Sequence, residues 1–375
     1  LEYAELPDIL FSEEDAAAIQ QDVITVYEGL AGRTLQPADP VRLFLSSLAA
    51  IIIQQKVLIN QTAKGNLLRY ASGAVLDHMG AFQGSERLNA SAAIVTLQFV
   101  LSIPLASATS IPAGTRVGAQ GGNGSIFFST TEYVEIPAGE TVGLATAVCS
   151  DPGAIGNGFL PGQINVLMDP LPFVQSVSNL TTSSGGAAAE TDEAFKERIR
   201  NAPESYSTAG PQGAYEFWTK SASSAIIDVH AYSPAEGRVT VVPLLAGGEI
   251  PSQDVLDSIS KKLEDRDIRP LTDLVAVSAP LPVSYNTTVT YYISRSRSAE
   301  VSSIQGKISA AVTAYQLWQK AKLGRHINPS ELISRIMAAG AQRVVPLAPV
   351  YTVLTATQVA QTGTTTITYG GLVDD

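Results

Sequence analysis

The sequence is poor in the residues on which most protein chemistry depends. It holds a single cysteine, Cys149, which excludes a disulfide framework and any cysteine-rich zinc module. Its three histidines, His78, His230 and His326, are too scattered to spell a metal-ligand motif. Charge is scarce as well. Only 16% of residues are Asp, Glu, Lys or Arg, and 24 basic against 35 acidic side chains leave a net charge of −11. Coating of nucleic acid, which needs local positive charge against phosphate, does not fit that balance. The phosphate loop, the Gly-x-Ser-x-Gly nucleophile elbow, His-Glu-x-x-His and Cys-x-x-Cys are all missing.

The charge that is present is unevenly spread. Residues 1–40 carry nine acids and one base, Arg33. This start is expected to form an arm suited to a basic partner surface. Its first residues, Leu1 to Asp8, lack a basic stretch followed by an apolar one, so no secretory signal is expected there. From Ala92 to Ala189 only six residues are charged: Arg116, Glu132, Glu135, Glu140, Asp151 and Asp169. So neutral a surface is unusual for a freely soluble domain, and it suits close contact with neighbours, where few charges need be desolvated.

At 375 residues the chain has room for several domains, and a hydrophobic content of 45% excludes disorder. Residues 13–82 read as helical. Asp39-Pro40 supplies an N-cap and a proline for the first helical position. Val41, Phe44, Leu45, Leu48, Ile52 and Ile59 then follow a helical stripe, while Leu43, Ile51, Ile53 and Val57 make the segment apolar nearly all round. Its most apolar part, Leu43–Ile53, is about half the length of a membrane span and runs into Gln54, Gln55 and Lys56. A small N-terminal region can scarcely enclose such a helix, so a bundle shared with other chains is expected.

From Ala92 the period changes to two. Val95, Leu97, Phe99 and Leu101 alternate with Thr96, Gln98 and Val100, and Gly/Pro turn signals recur, among them Gly121-Gly122-Asn123-Gly124. Helix and strand signals alternate after Gly186. Thr191 can cap a helix; strands are expected at Ile226–Tyr232, Arg238–Leu244 and Leu274–Ser278, with a helix from Ser252. The clearest strand places Val283, Tyr285, Thr287, Val289, Tyr291 and Ile293 on one face. Ser298 is expected to cap the next helix, and Asn328-Pro329-Ser330-Glu331 resembles a capping box. The fold class is therefore α+β and multidomain: an N-terminal acidic arm with helices over 1–90, a β-rich domain over 91–188, and two small α/β units over 189–281 and 282–375.

Isolated candidates for chemistry have plainer readings. Cys149 lies in an apolar strand and reads as an inert buried thiol. His230 alternates with strand residues, and His78 follows Asp77 on a helix. Lys320, Lys322, Arg325 and His326, near Trp318, suit a helix end better than nucleic acid. No catalytic set, metal site or cofactor site emerges. A polysaccharide-cleaving enzyme would need two carboxylates across a cleft, and Glu132, Glu135, Glu140, Asp151 and Asp169 show no pairing pattern.

Several segments carry a resemblance. They are Glu190–Arg200 running on to Ser205–Tyr215, Ser233–Val241, Asp267–Asp273, Ala71–Asp77 with Arg87, Ile111–Thr115, and Gly153–Asn157 leading to Pro161–Ile164. In this order they resemble the baseplate assembly protein J family of contractile-tailed phages, over roughly residues 40–375. The resemblance implies a structural, non-enzymatic subunit of the baseplate wedge, located in the tail baseplate of a virion and assembled in the host bacterial cytoplasm. It implies a second copy of the chain and a smaller wedge protein as partners, with sheath-initiator or hub-proximal baseplate proteins nearby. It implies N-terminal helices in a shared bundle and C-terminal domains linking wedges into a ring that triggers sheath contraction. The same role in a tailocin or another injection particle is an equal implication. No cofactor, nucleic acid or direct membrane insertion is expected. The side chains expected at subunit contacts are Leu45, Leu48, Ile52 and Ile59 on the apolar helix, with Arg269 and Asp273. These last two are also suited to bonding helix-end carbonyls and closing a turn.

Overall fold

The fold was taken from a computed structural model that describes residues 6–119, 126–207, 210–265, 268–270 and 272–374. The Gly121–Gly124 turn signal lies outside the described residues, as do Thr208, Ala209, Asp267 and Leu271 of the quoted segments. The chain is α+β and divides into two compact units. One is built from residues up to Arg87 together with Thr191–Arg200, the other from Leu88–Glu190 and from Asn201 onward.

The first unit is helical. Helix α1 (Ala16–Ala31) starts where the Asp15 carboxylate accepts from the N–H groups of Ala17 and Ala18, and it ends on Gly32 at φ 63°. Helix α2 (Pro40–Gly65) starts as its sequence dictates, with Pro40 at the first position and the Asp39 side chain accepting from Val41 N–H. The two helices meet through Ile24, Leu35 and Leu45, flanked by Val23, Tyr27 and Val41. A second small core joins Ala71 and Leu76 of the α3 region (α3, Gly73–Phe82) to Phe195 and Ile199 of α4 (Asp192–Asn201). Helix α4 thus belongs with the N-terminal helices and not with the segment 189–281 to which its sequence position assigned it. The cause is local: Phe195 fills the space left by Gly80, where a Cβ would sit 2.3 Å from the ring, and Arg87 bridges Asp77 and Asp192 at 2.9 and 2.7 Å.

The second unit contains three sheets in succession along the chain, with one short ribbon. Strands β1 (Ala92–Leu101), β3 (Arg116–Ala119), β4 (Phe127–Thr130), β6 (Val142–Pro152), β7 (Ile164–Leu167) and β8 (Val174–Asn179) form a six-stranded sheet in the order β7-β3-β4-β6-β1-β8. Strands β2 (Thr109–Ile111) and β5 (Val134–Ile136) make the ribbon. The sheet curls until its end strands meet through one side chain. Buried Asn179 of β8 accepts from Ile164 N–H of β7 at 2.8 Å and donates to the Leu160 and Thr181 carbonyls. Val95, Leu97 and Phe99 alternate into the interior beside Val117, Phe128 and Ile164.

The central part packs α5 (Gln212–Lys220) and α6 (Gln253–Leu263) with a sheet ordered β11-β10-β9, made of β9 (Ile226–Ala235), β10 (Arg238–Leu245) and β11 (Leu274–Val277). The last part orders its sheet β13-β12-β14, with β12 (Leu281–Ser294), β13 (Arg343–Ala348) and β14 (Gln358–Val373). Helices α7 (Val301–Lys320) and α8 (Pro329–Ala338) supply Ile304, Ile308, Val312, Tyr315, Leu332 and Ile336 to its core. Two local starts differ from the sequence pattern. A 3-10 turn over Arg295–Glu300 delays α7 to Val301, so Ser298 is not its cap. Asn328 does cap α8, but Glu331 pairs with Arg335 at 2.8 Å instead of closing a capping box.

These parts of the second unit interlock. Val242, Leu244, Leu323 and Val359 form one core across the central and last parts, and Leu323 N–H donates to Asp228 at 2.8 Å. Asp254, at the start of α6, accepts from Thr181 at 2.9 Å and from Thr96 of the β-rich sheet. The interior of the last part is closely filled, so Ile308→Ala is expected to cost about 2–5 kcal/mol. Faster native-state hydrogen exchange in β12 and β14 than in the β-rich sheet is the readout.

Candidate functional site

Helix α2 presents an unusual surface. Of its long apolar run only Leu45 and Ala49 are buried, together with Asn60. Leu45 is 8% exposed and packs on α1, so it is committed within the chain; Leu48, Ile52 and Ile59 are 37%, 39% and 53% exposed. The four residues singled out on this helix therefore divide, one inward and three outward. Phe44, Ile51 and Leu58 are also exposed and widen the apolar face. Farther along, Gln55, Leu58, Ile59, Thr62, Ala63 and Asn66 line an open groove of about 440 Å³. Counted over its full 26 residues, α2 is long and apolar enough to cross a membrane, which its Leu43–Ile53 stretch alone is not.

The acidic start is tied to this same helix. Asn60 Oδ1 accepts from Phe11 and Ser12 N–H, both at 2.8 Å, and its amide donates back to the Ser12 carbonyl at 2.7 Å. Asp8 receives Tyr70 Oη at 2.7 Å and Lys64 Nζ at 3.1 Å, and these two groups hold its carboxyl below the usual range. Arg69 donates to the carbonyls of Leu6 and Pro7. The described part of the arm is therefore fastened by its own chain. Sequence reading missed this strap because Asn60 looks like an interruption of an apolar stripe.

The other singled-out residues also work internally. Asp273 accepts from the buried Tyr215 hydroxyl at 2.7 Å, and its N–H closes a turn onto the Pro270 carbonyl. Arg269 donates to the Asp273 carbonyl at 2.9 Å, so it bonds its own turn and not the end of a helix. Burial, with the Asp273 carboxylate, raises the Tyr215 pKa, which keeps the phenol a donor. Arg325 lies 4.2 Å over the Trp318 ring, with Arg335 at 5.5 Å, which accounts for part of the basic run. His326 Nδ1 accepts from Leu354 N–H, and His230 stacks on Tyr232. Among the described residues no group of three potential ligands is placed to hold a metal. Cys149 is 4% exposed, and burial pushes its thiol pKa up. Of the five carboxylates weighed for hydrolysis, Asp169 is held by a fork from Arg116 at 2.7 and 3.0 Å, which lowers its pKa to about 2.

The chain thus combines an exposed apolar helix face, a curled β-rich sheet and polar side chains committed to internal bonds. Residues 96–186 match the Baseplate J-like protein barrel domain, and residues 207–279 match the Baseplate J-like central domain. Over these residues the chain is similar to baseplate J-like proteins. Among its relatives, baseplate protein J of Escherichia phage P2 is 31% identical over 166 residues, which cover 44% of this chain and 53% of that protein. The chain thus spans about half the length of that relative. The solved cryo-EM structure of the anti-feeding prophage (AFP) baseplate, 6-fold symmetrised, contains a chain 15% identical to this one. The two align with a TM-score of 0.38 over 93% of this chain and 90% of that one. Within the matched family domains, the 96–186 region contains the closed sheet and the 207–279 region contains the Tyr215–Asp273 contact.

Two outcomes are expected. Asn60→Ala removes the single oxygen that accepts both strap N–H groups, and the Phe11 and Ser12 amides are expected to exchange about tenfold faster or more, as measured by NMR. The Asp169 carboxyl, whose pKa falls from 3.8 to about 2, is expected to titrate near pH 2. Because the folded value is the lower one, the ion pair's contribution is complete above pH about 4 and is lost as pH falls through about 2. A carboxyl-carbon titration with its midpoint near 3.8 would refute the assignment.

Proposed function

We propose that this chain is a structural subunit of the baseplate wedge of a contractile tail or injection particle, without catalytic activity. It would help build the ring around the tail hub and pass on the conformational change that releases sheath contraction. The observation that carries the reading is the match of residues 96–186 and 207–279 to the two baseplate J-like domains. The relative in phage P2 is named for the same structure. The exposed face of α2 supports an assembled state, since contiguous apolar surface on a helix marks a site of association.

In this reading Leu48, Ile52 and Ile59 pack against helices of a second copy or of a smaller wedge protein. A bilayer is the poorer occupant. Gln54, Gln55, Lys56 and Asn60 would all lie within its hydrocarbon, and Asn60 already holds the N-terminal strap. Arg269 and Asp273 serve by shaping the turn over Tyr215 rather than by touching a partner. Large rigid parts joined by polar contacts suit a subunit that moves as a body during a triggered rearrangement.

The double variant Leu48→Asp and Ile52→Asp tests the assembly role. Both positions are exposed in the isolated chain, so the variant is expected to melt where the wild type does. In a co-expressed particle each charge would be buried without a partner, at a cost of several kcal/mol. The expected result, read by electron microscopy of purified particles, is loss of assembled baseplates. Normal particles carrying the double variant would refute the α2 contact.

A further inference from the structure

The loop that joins β13 to β14 carries an exposed apolar tip. Val350, Tyr351 and Val353 face solvent, together with Leu347 of β13, while Leu354 is buried in the core beneath. From Val344 to Val373 the sequence has no charged side chain, so sensitivity to pH has to come from what holds the loop. It is held by the segment between α7 and α8. Thr352 and Ile327 exchange two backbone bonds, at 2.9 and 3.2 Å, and Gly324 N–H donates to the Gln358 carbonyl at 2.8 Å. Between these two ties, Leu354 N–H donates to a side chain, His326 Nδ1, at 3.1 Å. The Tyr351 ring meets the same imidazole edge-on, with ring centres 6.0 Å apart.

A ring nitrogen that accepts an N–H carries no proton, so this imidazole is neutral, with its proton on Nε2. The backbone bearing it is fixed separately. Buried Gln319 of α7 donates to the carbonyls of Arg325 and His326, both at 3.1 Å, and accepts from Asn328 N–H at 3.3 Å. The charges at this corner are mostly positive: Lys320 at the end of α7, Lys322 and Arg325 on the segment itself, and Arg335 on α8. Two carboxylates, Asp228 of β9 and Glu331 of α8, lie within electrostatic reach of Arg325, and both are engaged. Glu331 pairs with Arg335 at 2.8 Å, and Asp228 accepts from Leu323 N–H at 2.8 Å. Among the described residues neither bonds the imidazole, so no anion holds a protonated ring in its present position.

We propose that His326 is a pH-sensitive pin for this apolar loop. The neutral ring accepts Leu354 N–H and holds the loop down. A protonated ring carries N–H on both nitrogens, so Nδ1 then meets Leu354 N–H donor against donor, and the pin opens. Imidazoles change charge between about pH 5 and 8, so the contact is made at the upper end of that range and lost as pH falls. The Thr352–Ile327 bridge and the buried Leu354 side chain keep the loop attached. The change is therefore local: the Val350–Val353 tip gains freedom while the sheet beneath keeps its register. The inference rests on these contacts alone and is independent of the proposed assembly role.

Native-state hydrogen exchange of the full chain tests the pin, read by NMR and corrected for the intrinsic pH dependence of amide exchange. The His326 ring shifts report its charge in the same samples. In the wild type, protection of Leu354 N–H is expected to fall about tenfold or more between about pH 8 and about pH 5, in step with protonation of His326. Amides of β12 are expected to keep their protection, which separates the effect from general loosening in acid. His326→Asn supplies an oxygen acceptor that does not titrate, and Leu354 protection in it is expected to change less than about twofold over that range. His326→Phe keeps a ring beside Tyr351 but offers no acceptor, and its Leu354 N–H is expected to be poorly protected at both pH values. Four results would each overturn the proposal: an imidazole still neutral at about pH 5, a protonated one with Leu354 protection unchanged, an Asn variant that loses protection in acid as the wild type does, or a Phe variant as well protected as the wild type.

Discussion

Helix α2 has more apolar surface than the described residues of its unit cover, and the organisation of that unit follows from the excess. Asp39, Pro40 and Asn66 give the helix sound ends, and the Asn60 bonds draw the arm across one side of it. Helix α1 takes Leu45. Helices α3 and α4 are occupied with a core of their own around Phe195, and among the described residues Phe44, Ile51 and Leu58 stay exposed. The helix is well formed and well capped, but its burial is incomplete. That combination is what the proposed contact with partner helices requires.

The second unit shows the opposite balance. Each of its three larger sheets has a buried core among the described residues, and polar bonds join the successive parts. Asp254 reaches two threonines of the β-rich sheet, while Gln361 donates to the Gly248 carbonyl and Leu323 N–H to Asp228. Gly248 has to be glycine for this packing, since a Cβ there would sit 2.4 Å from the Lys320 carbonyl oxygen. A displacement applied to the last part would therefore reach the β-rich part with little lost in bending. Such coupling is what the proposed rigid-body role in a triggered rearrangement would require.

Much of this was readable from periodicity, and the limits of that reading are physical. The alternation of Val95, Leu97 and Phe99, and that of Tyr285, Val289 and Tyr291, identified strands because half-buried strands repeat every two residues. The α2 stripe identified a helix, but not which flank α1 would take; Leu45 turned inward and Leu48 outward. Thr191 marked the start of a helix, yet a local signal carries no address, and α4 joined a core far back in the sequence. The least legible features were single polar side chains with distant partners. Asn179 closing the sheet, Asn60 holding the arm and Asp273 receiving Tyr215 are ordinary residues in the sequence, defined only by what the fold brings to them. Helix starts fell between these extremes: Asn328 caps as expected, while a 3-10 turn moved the start of α7 past Ser298.

Cys149 is enclosed in the β-rich core, against a glycine at position 156 whose Cβ would come within 2.7 Å of its sulfur. Its thiol is shielded from solvent and kept protonated by burial, and it is the chain's sole sulfhydryl. In the proposed assembly this chain would therefore offer its neighbours no accessible sulfur through which to crosslink in oxidising surroundings, so its contacts would not be covalently trapped.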